Sequence, residues 1–150
     1  MRTRNVGFGP SPAGLPTVSG AEYVLDRGVG QVQHHPGQII IDSTATDTRR
    51  NPSTTLEKGL ALGKVTASGR WKGYLDSNSD GTQVARGVLD EVVDLLDENG
   101  TAQHYYGASM VIRAAIDKAK VFDQGGTAID SAGLTDIGLL TNGCAIISGF

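Results

Sequence analysis

The stretch Gly59-Leu60-Ala61-Leu62-Gly63-Lys64-Val65-Thr66-Ala67-Ser68-Gly69-Arg70-Trp71-Lys72-Gly73-Tyr74-Leu75 decides how this chain folds. Successive side chains of a strand point to opposite faces, so Leu60, Leu62, Lys64 and Thr66 share one face while Ala61, Gly63 and Val65 share the other. Ser68-Gly69 is turn chemistry, and residues 70–75 return as a second strand, which predicts a hairpin. Downstream, residues 76–81 form a second turn, and residues 83–89 read as a third strand running on toward Val93. Residues 90–99 mix Val92, Val93, Leu95 and Leu96 with acids. They fit either a short helix stopped by Asn99-Gly100 or an irregular acidic loop. Residues 109–115 alternate as a strand, whereas 115–120 carry helix-forming residues. From about Asp130, Leu134, Ile137, Leu140 and Thr141 recur at helical spacing, and Asn142-Gly143 is a C-terminal stop. Residues 144–148 close the chain as a strand. The fold class expected is α+β, mostly β, with one short C-terminal helix.

Upstream the character differs. All five prolines lie between Pro10 and Pro52, and residues 7–16 alternate glycine with φ-locked proline, which forbids a helix. Two strand-like pieces, 22–25 and 31–33, are each cut off by glycine. The reading is an extended arm with edge-type strands, ordered fully only on a partner. Residues 39–41 are a plausible strand, and 42–55 are a polar loop or linker rich in Thr, Ser and Asp. The division expected is an arm and linker over 1–55 and a β-rich body over 56–150.

The 150 residues suit one core, with 39% hydrophobic residues, a mean hydropathy of -0.15 and a net charge of -3. Apolar runs such as Ile39-Ile40-Ile41 are strand-sized, far short of the roughly 20 residues of a membrane-spanning helix. The basic first residues lead into no apolar stretch, so no secretory signal is visible. With 13 Lys and Arg against 16 Asp and Glu, the chain lacks the basic surplus of a protein that neutralises phosphates. The single Cys144 excludes an intramolecular disulfide and fits a reducing cytoplasm, with the thiol buried as a small hydrophobe. Gly 21 and 5% aromatics point to turns and thin packing rather than to a ring-lined pocket. They suit a domain stabilised by association.

The sharpest chemical motif is Asp76-Ser77-Asn78-Ser79-Asp80-Gly81, the first half of an EF-hand loop. Its twelfth position is Gly87, not the bidentate Glu that anchors calcium, so a structural turn is the better reading. His34-His35 point to opposite faces of an extended chain and rarely share an ion. Cys144 opens an apolar strand, as a structural cysteine would. Gly63-Lys64 is followed by Val65, so there is no phosphate-binding loop, and no Gly-x-Ser-x-Gly elbow is present. Arg49-Arg50 and the acids Asp90, Glu91, Asp94, Asp97 and Glu98 read as solvated surface. No catalytic constellation, metal site or cofactor site is expected.

Residues 57–71 resemble the head decoration proteins of lambda-type bacteriophages. That family has a glycine-led strand ending in Leu-Gly-Lys-Val-Thr, a Gly turn and a basic–aromatic return. A Ser-Asp-Gly-Ser/Thr loop and a strand ending in Gly-Ile/Val-Leu follow. The matching residues here are Ser79-Asp80-Gly81-Thr82 and Gly87-Val88-Leu89, then the acidic residues 90–94. Met110-Val111-Ile112-Arg113 and the helix before Ala145-Ile146-Ile147 resemble the family's later elements. The similarity covers roughly residues 56–150.

The resemblance implies a role without catalysis: homotrimers at three-fold and quasi-three-fold sites on the outer surface of the expanded head, reinforcing it against DNA pressure. The implied partners are the major capsid protein and further copies of this chain, with no direct nucleic acid and no membrane. Such a protein is made in the host cytoplasm and resides in the virion. Family arms add a strand to the coat protein, which would make Phe8, Leu15, Val18, Tyr23, Val24 and Val32 the capsid-binding candidates. Trp71 and Tyr74 are the trimer or packing candidates. The N-terminal third is longer than the lambda-type arm and does not map onto it. The alternative reading is another phage structural module, a tail or adhesin component.

Overall fold

The structure is a computed structural model that describes residues 22–24, 32–141 and 145–147, without the side chains of 138–141 and 145–147. Among the described residues it is mostly β, with one α-helix near the C-terminus. The strands are β1 (Gln33–His34), β2 (Ile39–Ile41), β3 (Thr55–Leu56), β4 (Ala61–Lys64), β5 (Trp71–Gly73), β6 (Gly87–Leu89), β7 (Val93–Asp94), β8 (Tyr105–Ala108), β9 (Met110–Arg113), β10 (Ala115–Asp117) and β11 (Ala145–Ile147). The helix α1 is Ser131–Thr141. Seven strands form the main sheet in the order β1-β9-β6-β4-β5-β2-β8, while β10-β11 and β3-β7 form small separate pairs.

The hairpin forms at the expected place, with Leu62 opposite Gly73 and Lys64 opposite Trp71. Its tip is closed by Val65 N–H donating to Arg70 O and Gly69 N–H donating to Val65 O, both at 2.8 Å. Strand alternation sends alternate residues into two cores, one on each side of the sheet. Leu60, Leu62, Leu89 and Met110 join Ile39, Ile41, Leu56, Trp71, Val93 and Leu95 in one. Ala61, Val88 and Val111 join Tyr23, Tyr74, Ile116, Val121, Ile129 and Ile137 in the other, beneath α1. Leu134 packs against that second cluster, so the helical spacing read from residue 130 onward matches the observed helix. The helix is started by Asp130, whose Oδ1 accepts from Gly133 N–H at 2.8 Å.

Several expected elements differ. Residues 83–86 are turn and irregular chain, with the strand confined to β6, because Gly81 and Thr82 wrap back over β4 before pairing begins. Residues 90–99 are neither a helix nor an unpaired loop. Val93 is buried opposite Leu56 in the β3-β7 pair, and a turn about Gly100 follows. Residues 115–117 are a strand rather than helix, running parallel to β11, with Ile116 buried and also bridged by Val24. Tertiary pairing outweighs the modest helix preference there.

The expected division at residue 55 is not observed. β2 lies inside the main sheet between β5 and β8, with Ile39 and Ile41 buried. Tyr23 and Val24 are core residues, and Asp117 N–H donates to Tyr23 O at 2.8 Å. The described parts of the expected arm and linker are thus built into the body.

Trp71 is 6% exposed and Tyr23 fully buried. Replacing either with Ala is expected to lower unfolding free energy by about 3–5 kcal/mol. Equilibrium urea denaturation reads this directly. A change below ~1 kcal/mol at Trp71 would mean its ring is not a packing element.

Candidate interaction surfaces

The sequence candidates fall into three groups. Phe8, Leu15 and Val18 lie outside the described residues. Tyr23, Val24 and the half-buried Val32 pack with Tyr74 around one core cluster. Tyr23 and Val24, expected as capsid contacts, are therefore corrected to packing residues, since a side chain enclosed by its own core offers no surface to a partner. Val32 leans on the same cluster. Trp71 belongs to the other cluster and lines a surface groove.

Tyr74 is fully buried, and its hydroxyl donates to Asp130 Oδ1 at 2.8 Å. Burial, followed by that hydrogen bond, raises its pKa well above the usual phenol range. Tyr74 ties the hairpin to the start of α1.

The loop motif carries a definite geometry. Gly81 has φ +108°, and a Cβ there would stand 2.5 Å from Lys64 O. A Cβ on Gly63 would meet Thr82 Cα at 2.6 Å. Only glycine permits this contact between loop and strand. Asp80 Oδ1 accepts from Thr82 N–H and Thr82 Oγ1–H, while Oδ2 pairs with Lys72 Nζ at 3.3 Å. The backbone carbonyl of Asp80 accepts from Thr66 N–H at 2.8 Å. Both Asp80 oxygens thus serve the turn. Among the described residues, no group of three or more His, Cys, Asp or Glu is placed to hold a metal ion.

The histidines diverge, as adjacent strand residues should. His34 Nε2 lies 2.8 Å from Asp90 Oδ2, and Tyr23 O–H donates to Asp90 Oδ1 at 3.1 Å. The carboxylate clamps β1 and residue 23 onto the segment after β6. His35 meets Trp71 edge-on, with ring centroids 5.9 Å apart.

Arg49 is not a solvated loop residue as expected. Its Nε and Nη2 donate to both oxygens of the fully buried Asp47, at 3.0 and 2.6 Å. Asp47 also accepts from the backbone N–H groups of Arg49 and Glu57. Arg49 further donates to the carbonyls of Glu57 and Lys58, and its guanidinium lies 4.6 Å from the centre of the Phe122 ring. Arg50 pairs with Glu57 at the surface. Asp-x-Arg in a polar loop was the available signal, but it does not reveal which acid is buried.

The acidic segment is likewise only partly a solvated face. Glu91 accepts from Tyr105 O–H at 3.2 Å, and Asp97 caps its own turn through the N–H groups of Asn99 and Thr101. Asp94 and Glu98 are exposed, as are Val92 at 52% and Tyr106 at 69%. The groove beside Trp71, about 360 Å³, is lined by residues of β2, the hairpin tip and His35. Lys64 Nζ stands over the Trp71 ring at 5.9 Å.

Among the described residues, no helix is long and apolar enough to cross a membrane. Compared with known proteins, the chain matches no family model and no curated protein sequence.

Two outcomes test this geometry. Asp47→Ala leaves Arg49 partly buried without its partner and is expected to cost about 3–5 kcal/mol in urea denaturation. At Asp80, the hydrogen bond from Thr82 holds the carboxyl below its ordinary 3.8. Such a group contributes stability above its unfolded pKa and loses it as pH falls through the lower folded value. Below about pH 3.8 the wild type should therefore lose a stabilising contribution that Asp80→Asn lacks. Parallel acid titrations followed by circular dichroism would read it; identical acid limbs would contradict it.

Proposed function

We propose that this chain is a capsid decoration protein of the lambda head type, acting by binding rather than by catalysis. It would sit as a homotrimer at three-fold and quasi-three-fold sites on the outside of an expanded phage head and brace the shell against packaged DNA. The observation that carries the reading is the interlocking of the motif residues. Leu62-Gly63-Lys64-Val65-Thr66, Ser79-Asp80-Gly81-Thr82 and Gly87-Val88-Leu89 each resemble the family as separate short strings. In space they form one unit: β4 pairs with β6, and the loop rests on β4 at Gly63 and Lys64. Their order and spacing thus serve one architecture.

The small mostly-β body, with motif polar groups engaged in turns, supports a structural role. The major capsid protein is the proposed partner, and Phe8, Leu15 and Val18 are the proposed capsid contacts. A Gly- and Pro-rich sequence of that composition suits strand addition, where main-chain hydrogen bonds supply affinity and alternate side chains supply specificity.

The test is to mix the purified chain with expanded particles assembled from the major capsid protein of the same genome. Cryo-EM should show three-lobed density at the three-fold positions, and the particles should withstand higher temperature. Absence of binding to expanded particles would overturn the reading. Because Tyr23 and Val24 belong to the core, a deletion that tests the arm must stop at residue 21. That deletion should leave cooperative unfolding intact and weaken particle binding by on the order of tenfold or more.

A further inference from the structure

We propose that copies of this chain join head to tail, the groove beside Trp71 in one copy receiving the Val92 knob of the next. This rests on the self-association proposed above and assigns it a surface.

The two patches are built by different segments of the chain, the groove by β2, the hairpin tip and His35, the knob by the residues after β6. β4 and β5 meet at the 65–70 turn, and the pairing of Ile41 with Trp71 places the start of β2 at that same end. β6 is antiparallel to β4, with Gly87 opposite Leu62 and Val88 opposite Ala61, so it runs away from the turn. Residues 90–98 follow β6 and turn back toward β8, where Glu91 accepts from Tyr105 O–H at 3.2 Å.

The groove is lined by the apolar Ile39, Ile40 and Trp71 together with the basic Lys64 and Arg70 and by His35. Arg70 has one loose pair, Nη1 to Asp42 Oδ2 at 3.7 Å. Among the described residues no carboxylate pairs with Lys64; its ammonium rests over the Trp71 ring. On the segment after β6, Val92 is 52% exposed, with Glu91 before it and Asp94 two residues after it. Strand alternation explains this: Val93 turns inward to the core, so Val92 and Asp94 turn outward. One patch is apolar with a basic side, and the other is apolar with acidic flanks. They match each other and neither matches itself.

A contact between unlike patches is heterologous. It forms a closed ring when the rotation between copies closes, and a closed ring of three uses every groove and every knob once. A two-fold contact would instead need a self-complementary patch. Charge matching of this kind sets register and partner choice, and the buried apolar contact adds affinity.

The test uses full-length chains and sedimentation velocity, with circular dichroism melts to verify folding. The wild type should be trimeric, and rising salt should weaken the trimer by screening. Val92→Ser, at an exposed position, should weaken association by about tenfold. Lys64→Glu with Arg70→Glu should give folded monomers, as should Glu91→Lys with Asp94→Lys. All four changes in one chain should restore trimers, because the charges are exchanged and still complementary. Mixing the two monomeric double variants should also produce association. A folded four-fold variant that stays monomeric, or double variants that remain trimeric, would overturn this interface while leaving trimeric decoration standing. A wild type that is monomeric in solution yet decorates particles would overturn this inference alone. A wild type that neither associates nor binds particles would remove the decoration reading with it.

Discussion

Strand β4 is buried on both faces, and this two-sided burial is the constraint on which the rest of the structure depends. Leu60 and Leu62 point into one core and Ala61 into the other. Each side then needs a cover. On one, α1 supplies Ile137 and Leu134, and residues 121–129 add Val121 and Ile129. On the other, the β3-β7 pair supplies Leu56 and Val93, and β2 supplies Ile39 and Ile41. Small residues in the strand let the covers approach: Gly63 lies under Thr82, and Ala61 receives Phe122 O at its N–H while giving its own carbonyl to Tyr74 N–H. A short strand can thus hold two thin layers with few aromatic rings.

The polar region between β2 and β4 is attached differently. It carries too little apolar surface to dock by burial alone, so it is fastened through the Asp47 carboxylate and the Arg49 guanidinium. Such a hub specifies geometry strongly, because each lost partner leaves a buried charge exposed to a poor environment. It contributes less net stability than an apolar core of similar volume would. Its effect is to bring residues 47–49 against Phe122 and the carbonyls of Glu57 and Lys58. This fixes the entry to β3 and, through it, the cover over one core.

With these covers in place, little apolar area among the described residues is left facing water. The exposed large hydrophobics are Val92 and Tyr106. The main sheet ends in short strands, two residues in β1 and four in β8. Short edges limit uncontrolled pairing with other chains. Association by side-chain complementarity on defined patches suits such a body, and so does a role in which it is held among neighbours on a shell.

The sequence by itself determined the local elements whose cause is local. The hairpin at 61–73 follows from period-two alternation around Ser68-Gly69, and the helix from residue 131 follows from the spacing of Leu134 and Ile137. The Asp80-Gly81 turn follows from small polar residues leading into Asp-Gly, the chemistry of a tight connection. The tertiary structure alone decided where β2 inserts, that Tyr23 and Val24 join the core, that residues 115–117 pair as a strand, and that Asp47 is the buried acid. These depend on contacts between residues far apart in the chain, such as Ile41 with Trp71, Tyr23 with Asp117 and Phe122 with Gly59. No local pattern encodes such partners. A Gly- and Pro-rich segment looks the same in sequence whether it trails free or is captured by a core that forms downstream, because the difference lies in the surface that the other residues assemble.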